Sequence, residues 1–220
     1  FNRSQILFYL AENLQQRKKT FVDLIIYLTA SSKIQAENEF RISCERLFYY
    51  AGMADKFEGN IHNPPMRGLT LSLKEPLGII ASILNDEMPL INLITTMSSI
   101  FSSGNTNIIV PGEKTSLLAT ELYQVFDTSD IPPGYINILT AKKDELNTTL
   151  SSHENIEGIW YFGNNKSEKS NIIKNSISNL KRYWIPKEKN IDWCSNNEEF
   201  LNEFLFKSTQ IKNIWIPYGE

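Results

Sequence analysis

From Ile79 to Ile185 the chain alternates short apolar runs with longer amphipathic ones, and this rhythm restricts the fold more than any other feature. Strand-like runs fall at Ile79–Leu84, Asn107–Val110, Ile136–Leu139, Ile159–Phe162 and Arg182–Ile185. Helical stretches lie between them at about Pro89–Ser102, Ser116–Asp127, Asp144–Ser151 and Ser167–Asn179. Short strands that are apolar throughout belong in a sheet buried on both faces, and strands joined through a helix run parallel. The expected fold class is therefore α/β: a parallel five-stranded sheet with flanking helices and right-handed crossovers.

On either side of this region the pattern changes. Ser4 precedes Ile6, Leu7, Leu10, Ala11 and Leu14, which predicts a capped amphipathic helix. A second helix carries Phe21, Leu24, Ile25 and Leu28, and a third runs from about Ser32 to Met53. After a turn at Pro64-Pro65, Leu69 to Leu73 alternates apolar and small polar residues as a half-exposed strand does. The tail from Lys207 contains Ile211, Ile214, Trp215 and Ile216, a strand whose apolar edge is an aggregation hazard unless something covers it. The expected organisation is N-terminal helices over 1–60 and a β-flap with tail strand over 61–74 and 205–220. The sheet domain covers 75–185, and a polar, turn-like linker covers 186–204.

Composition narrows the function classes. A net charge of −3 and pI near 5.6 argue against a nucleic-acid partner, which requires a basic face. The cluster Arg17, Lys18, Lys19 reads as a solvated helix end. The longest apolar run, Phe21 to Ala30, is interrupted by Asp23 and is too short to span a bilayer. Cys44 and Cys194 show no pairing pattern, which fits a reducing compartment, and a cytoplasmic location is expected. The first residue is Phe1 rather than Met, so the chain reads as a piece of something longer.

The stretch Glu75–Leu90, EPLGIIASILNDEMPL, resembles the strand and loop that open the nucleotide-binding domain of aldehyde dehydrogenases, written EPLGVV…PWNFPL. Arg46–Lys56, RLFYYAGMADK, is similar to the family's helix ending RYYAGWADK, and Asp130–Leu139, DIPPGYINIL, to its GLPPGVVNVV. His153 matches a structural histidine, and the tail resembles the strand that joins the flap across a dimer interface. The resemblance implies a Rossmann-like sheet domain, an oligomerisation element built from flap and tail, and nicotinamide dinucleotide chemistry in a complete member.

The positions that would carry that chemistry have changed. Glu87 stands where the family's asparagine amide holds the substrate oxyanion, and a carboxylate repels the same developing charge. Pro186 stands where the general-base glutamate of LKRVTLELGGKSP belongs, with Glu188 two residues on. No Gly-Gln-x-Cys motif occurs, and Cys44 and Cys194 read as ordinary thiols. In the ribose-binding loop, GNTVVLKPSE in the family, Glu113 is retained while Val110 replaces the lysine. A lost charge-assisted hydrogen bond costs about 1.5–3 kcal/mol. Glu113 also reads as a helix cap acting with Thr115. In the phosphate loop, FTGSTEVG in the family, Gly163 survives and Asn164 can donate to phosphate, while Glu168 replaces the second glycine. Glu113, Gly163 and Asn164 are therefore vestigial cofactor positions. No metal site is expected, and His62 and His153 have no acidic or cysteine neighbours.

The pattern is most similar to the degenerate C-terminal domain of family 16 aldehyde dehydrogenases, a second copy without its catalytic domain. The expected function is a non-catalytic domain acting in oligomer assembly, by self-association or by pairing with another aldehyde dehydrogenase domain through flap and tail. No bound cofactor, nucleic acid or membrane is expected. The alternatives are a fragment of an NAD(P)-dependent oxidoreductase whose catalytic residues lie outside this chain, and a dinucleotide sensor that binds without reacting.

Overall fold

A computed structural model describes residues 2–65, 67–187 and 191–218. Three helices open the chain: α1 (Asn2–Gln16), α2 (Lys18–Thr29) and α3 (Lys33–Met53). Ser4 does not cap α1, which already begins at Asn2; its hydroxyl donates to the Ala51 carbonyl at 2.7 Å and ties α1 to α3. The capping serine is Ser32, which forms a reciprocal capping box with Gln35 at the start of α3. Arg17 sits at the joint between α1 and α2 and reaches across to Gln124 at 2.6 Å and Glu121 at 3.4 Å.

The central sheet is α/β as expected. Its strands are β3 (Ile79–Ile83), β4 (Thr106–Val110), β5 (Ile136–Ile138), β6 (Gly158–Tyr161) and β7 (Arg182–Trp184), all parallel, in the order β5-β4-β3-β6-β7. Along β3 and β6 successive residues enter opposite clusters. Ile80, Leu84, Trp160 and Phe162 pack on the face carrying the N-terminal helices, while Ala81, Ile83, Ile159 and Tyr161 pack on the other. That two-sided burial is why these strands read as continuous apolar runs. Helices α4 (Pro89–Ser102) and α5 (Ser116–Asp127) contribute to the first cluster, and α6 (Lys143–Ser152) and α7 (Lys166–Ser176) cover the second.

Every residue of α4 is buried. The helix lies beneath α1 and α3, and three of its serines turn onto its own backbone: Ser98 donates to the Ile94 carbonyl at 2.5 Å, Ser99 to that of Thr96 at 2.9 Å and Ser102 to that of Ser99 at 2.9 Å. Gly78 opens β3 with φ +128°, a conformation that only glycine adopts without strain, and a Cβ there would meet the Glu157 carboxylate at 2.8 Å. That carboxylate accepts from the Ile79 amide at 2.7 Å.

A second sheet is antiparallel, in the order β1 (Asn60–His62), β2 (Gly68–Pro76), β8 (Thr209–Pro217). β2 is longer than the expected run of Leu69 to Leu73, and it pairs with β8 along its full length, from Gly68↔Pro217 to Pro76↔Thr209. The segment read as a linker, 186–204, is not all linker, because α8 (Glu198–Lys207) begins inside it. Asn197 caps α8 by accepting from the Glu199 amide at 2.9 Å. Phe200, Leu201, Phe204 and Leu205 recur at helical spacing, and the last three are buried. Trp193, also within that segment, packs with Phe162 and Phe204. No helix among the described residues is long and apolar enough to cross a membrane.

Candidate functional site

In an open sheet wound in both directions, ligands bind outside the carboxyl ends of the strands where the winding reverses. Here the chain proceeds from β3 outward to β5 and then returns to β6 on the other side of β3. The candidate site is thus bounded by the loop after β3, which carries Asn85, Asp86 and Glu87, and the loop after β6, which carries Phe162, Gly163 and Asn164.

The structure brings three of the expected positions together at this place. Gly163, Asn164 and Pro186 line one cavity with Asn85, Phe162 and Ile191, but that cavity holds only about 10 Å³. A space of this size admits about one water molecule. Gly163 is filled from within the fold: a Cβ there would lie 2.3 Å from the Tyr161 hydroxyl, so the tyrosine ring already occupies the approach to the glycine backbone.

Glu168 closes the loop further. Its carboxylate accepts from Tyr161 Oη at 2.8 Å, from Asn147 Nδ2 at 2.5 Å and from Asn165 Nδ2 at 2.7 Å. Asn165 is in turn the N-cap of α7, accepting from the Ser167 amide at 2.9 Å. Glu168 thus links β6, α6 and α7 by hydrogen bonds.

The other expected positions lie elsewhere. Glu113, in a 3-10 turn over Glu113–Thr115 between β4 and α5, accepts from the Lys143 amide at 3.3 Å and so caps α6, not α5. Its expected partnership with Thr115 is not found: Thr115 bonds Asp86 Oδ1 at 3.3 Å and the Gly112 carbonyl at 3.3 Å, and its side chain does not cap α5. Val110, expected at the position of the family's lysine, is fully buried in the second core cluster with Ala81 and Ile83. Glu87 is exposed, and its loop is tied down by Asn92, whose amide donates to the Glu87 carbonyl at 2.7 Å and to the Asn85 carbonyl at 3.2 Å. Glu188 lies outside the described residues. The residues present therefore do not fit a dinucleotide.

Neither thiol is prepared as a nucleophile. Burial first, and then the neighbouring Glu45 charge, push the Cys44 thiol up to about 12. Cys194 is half-buried and also raised, by burial and by Asp192. Reactive cysteines have lowered values. His62 meets Ser72 Oγ at 3.0 Å, and His153 Nδ1 accepts from the Asn155 amide at 3.2 Å, so both imidazoles have local structural partners. Among the described residues no group of three or more His, Cys, Asp or Glu side chains could hold a metal ion.

Two buried charges were missed by the sequence reading. Glu39 of α3, 2% exposed, accepts from the Leu90 and Ile91 amides of α4 at 2.7 and 3.4 Å. Burial raises its carboxyl to about 7, outweighing the two amide hydrogen bonds that act to lower it. Arg46, two turns further along α3, donates to Asn196 Oδ1 at 3.0 Å, to the Trp193 carbonyl at 3.2 Å and to the Ser195 carbonyl, which anchors the segment before α8. A sequence signal existed for both, since they fall in the helical phase of the inner-face residues Ala36, Phe40, Ser43, Leu47 and Tyr50.

The comparisons with known proteins agree with this architecture. The sequence profile described as "Aldehyde dehydrogenase family" matches residues 1–185. The NADP/NAD-dependent aldehyde dehydrogenase PuuC of Escherichia coli (strain K12) is 29% identical over 137 residues, covering 62% of this chain and 28% of that protein. The cytosolic 10-formyltetrahydrofolate dehydrogenase of Homo sapiens is 26% identical over 186 residues, covering 82% of this chain and 21% of that protein. The chain thus spans between a fifth and a third of the length of these relatives. Among solved structures, PnpE from Pseudomonas sp. WBC-3 superposes with a TM-score of 0.78 at 24% identity, covering 83% of this chain and 37% of that one. An NAD-dependent aldehyde dehydrogenase from Sinorhizobium meliloti gives a TM-score of 0.76 at 23% identity, covering 83% of this chain and 36% of that one. At those identities the structural likeness speaks for the fold. With the profile extending over residues 1–185, the chain belongs to the aldehyde dehydrogenase family.

Proposed function

We propose that this chain is a non-catalytic aldehyde-dehydrogenase-like domain that serves oligomer assembly through its antiparallel sheet. The observation that carries this reading is the edge strand β8. It is paired to β2 over its whole length on one side and, among the described residues, has no strand on the other, while Ile211 and Trp215 remain 65% and 60% exposed. A long apolar edge strand is a template for another strand, and a second copy of the chain or another domain of the family is the partner that satisfies it. The sheet domain then acts as the rigid body that presents the edge. Supporting the non-catalytic half of the reading are Glu87 and Pro186 at the degenerate positions and two thiols with raised pKa values. Its two free cysteines, Cys44 and Cys194, are compatible with work in a reducing compartment such as the cytoplasm.

The test is assembly state. Light scattering of the intact chain should report a dimer or larger species. Deleting 208–220 should yield monomer or aggregate, and Ile211→Lys combined with Trp215→Lys, which leaves the β2 ladder in place, should yield monomer. Assembly unchanged in both variants would sink the reading.

A second reading rests on coverage. Because the chain spans 28% of its Escherichia coli relative, it also fits a segment of an NAD(P)-dependent oxidoreductase that oxidises aldehydes to carboxylic acids with residues outside this chain. An FxNxGQxC motif in the same open reading frame, together with aldehyde oxidation by its full product, would establish that reading.

A further inference from the structure

Parallel sheets of this type receive phosphate groups on the free amides at the start of the helices that follow their strands, where the helix dipole favours negative charge. In this chain side-chain oxygens of the protein itself meet the starts of α4, α6 and α7 and the 3-10 turn that leads into α5. At α4 the Leu90 and Ile91 amides bond Glu39 Oε1 at 2.7 and 3.4 Å. At the turn leading into α5, the Lys114 amide and Thr115 hydroxyl bond Asp86 Oδ1 at 3.0 and 3.3 Å. At α6 the Lys143 amide bonds Glu113 Oε1 at 3.3 Å. At α7 the Ser167 amide bonds Asn165 Oδ1 at 2.9 Å, and the Asn165 side chain is held by Glu168 at 2.7 Å.

We propose that the carboxyl edge of this sheet is built to exclude phosphate-bearing ligands, dinucleotides and free pyrophosphate alike, because Glu39, Asp86, Glu113 and the Asn165–Glu168 pair occupy the helix starts and the turn that would receive the phosphate. The inference extends beyond the loss of one cofactor contact. The Leu90, Ile91, Lys114, Lys143 and Ser167 amides already have side-chain acceptors, and Asp86, Glu113 and Glu168 add negative charge around the point where a diphosphate would sit. The same groups are structural links: Asp86 joins the loop after β3 to the turn after β4, Glu113 joins that turn to α6, and Glu168 joins α6 to β6 and α7. The edge has thus acquired internal cross-links in place of a bound anion. The inference does not depend on assembly through β8, so either can fail without the other.

The experiment is calorimetric titration of the chain with NAD and, separately, with inorganic pyrophosphate at low salt. The wild-type chain should give no saturable heat at millimolar ligand. The variant Asp86→Asn, Glu113→Gln, Glu168→Gln should gain salt-sensitive pyrophosphate binding. Each neutralised carboxylate should add on the order of tenfold in affinity, the effect of one charge at roughly 10 Å with an effective dielectric constant of about 20. Circular dichroism checks that the variant is folded, and if it is not, Glu113→Gln and Glu168→Gln are titrated singly. Saturable binding of either ligand to the wild type would overturn the proposal. So would folded variants that stay as silent as the wild type.

Discussion

The carboxyl group of Glu39 offers the sharpest quantitative test, because α4 has no other cap. Its N-cap residue Met88 is left-handed with φ +44° and gives no side-chain hydrogen bond, and every residue of the helix is buried away from water. Two opposing effects act on Glu39. The Leu90 and Ile91 amides and the helix dipole favour the carboxylate, while removal from water favours the neutral acid. Desolvation wins, raising the group from 4.5 to about 7. At 1.36 kcal/mol per pKa unit, that difference corresponds to about 3 kcal/mol of folding stability. The fold disfavours the charged form, so the stabilisation is complete below about pH 4.5 and is lost as the pH rises to about 7.

Glu39→Gln keeps an acceptor oxygen and cannot ionise. Relative to the wild type its stability should rise by about 3 kcal/mol between pH 4.5 and 8, on top of a pH-independent cost of burying the new amide N–H group. Glu39→Ala should instead be destabilised by about 2–5 kcal/mol near pH 4.5, because two buried amides lose their acceptor, and by about 3 kcal/mol less at pH 8, where the wild type has lost the Glu39 contribution. Urea unfolding followed by tryptophan fluorescence at a series of pH values measures both, and the wild-type-minus-Gln difference isolates this one group from other titrations. A difference that is flat between pH 4.5 and 8 would refute the reasoning.

Two further predictions concern buried groups. Arg46→Met should cost about 2–4 kcal/mol, since the Trp193 and Ser195 carbonyls and the Asn196 amide lose a charged donor. Release of the Trp193 environment should then red-shift tryptophan emission, and an unchanged spectrum with unchanged stability would contradict the anchoring role. With its thiol near 12, Cys44 should react with a thiol-exchange reagent at pH 8 at least a hundredfold more slowly than half-buried Cys194. Mass spectrometry of timed, quenched samples reads the two rates, and comparable rates would contradict the burial argument.

Much of the fold was legible from short-range pattern. The bounds of α4 and α5 fell where periodicity placed them, because a helix that packs on a sheet must carry its apolar residues at helical spacing. The strands β3 to β7 were each placed to within a residue or two; for β3 and β6 the reason is that burial on both faces leaves an apolar run with polar flanks. The errors came where a local signal had more than one solution. Ser4 looked like a cap and is a tether between two helices. Asn197 was submerged in a polar stretch, and so α8 was missed although Phe200, Leu201, Phe204 and Leu205 spelled its inner face.

The candidate site divides along the same line. The sequence by itself determined the α/β alternation, the motifs that resemble the aldehyde dehydrogenase family and the long apolar tail strand, all of which reside in residue type and near-neighbour spacing. Only the tertiary structure decided what replaced the lost contacts. That Glu39 caps a helix 51 residues away, that Glu113 serves α6 rather than a ribose, and that Tyr161 and Glu168 fill the phosphate loop depend on which strands the sheet sets side by side. Hydrogen bonds of that kind depend on distances between remote elements, whereas periodicity records only which face of each element is turned inward.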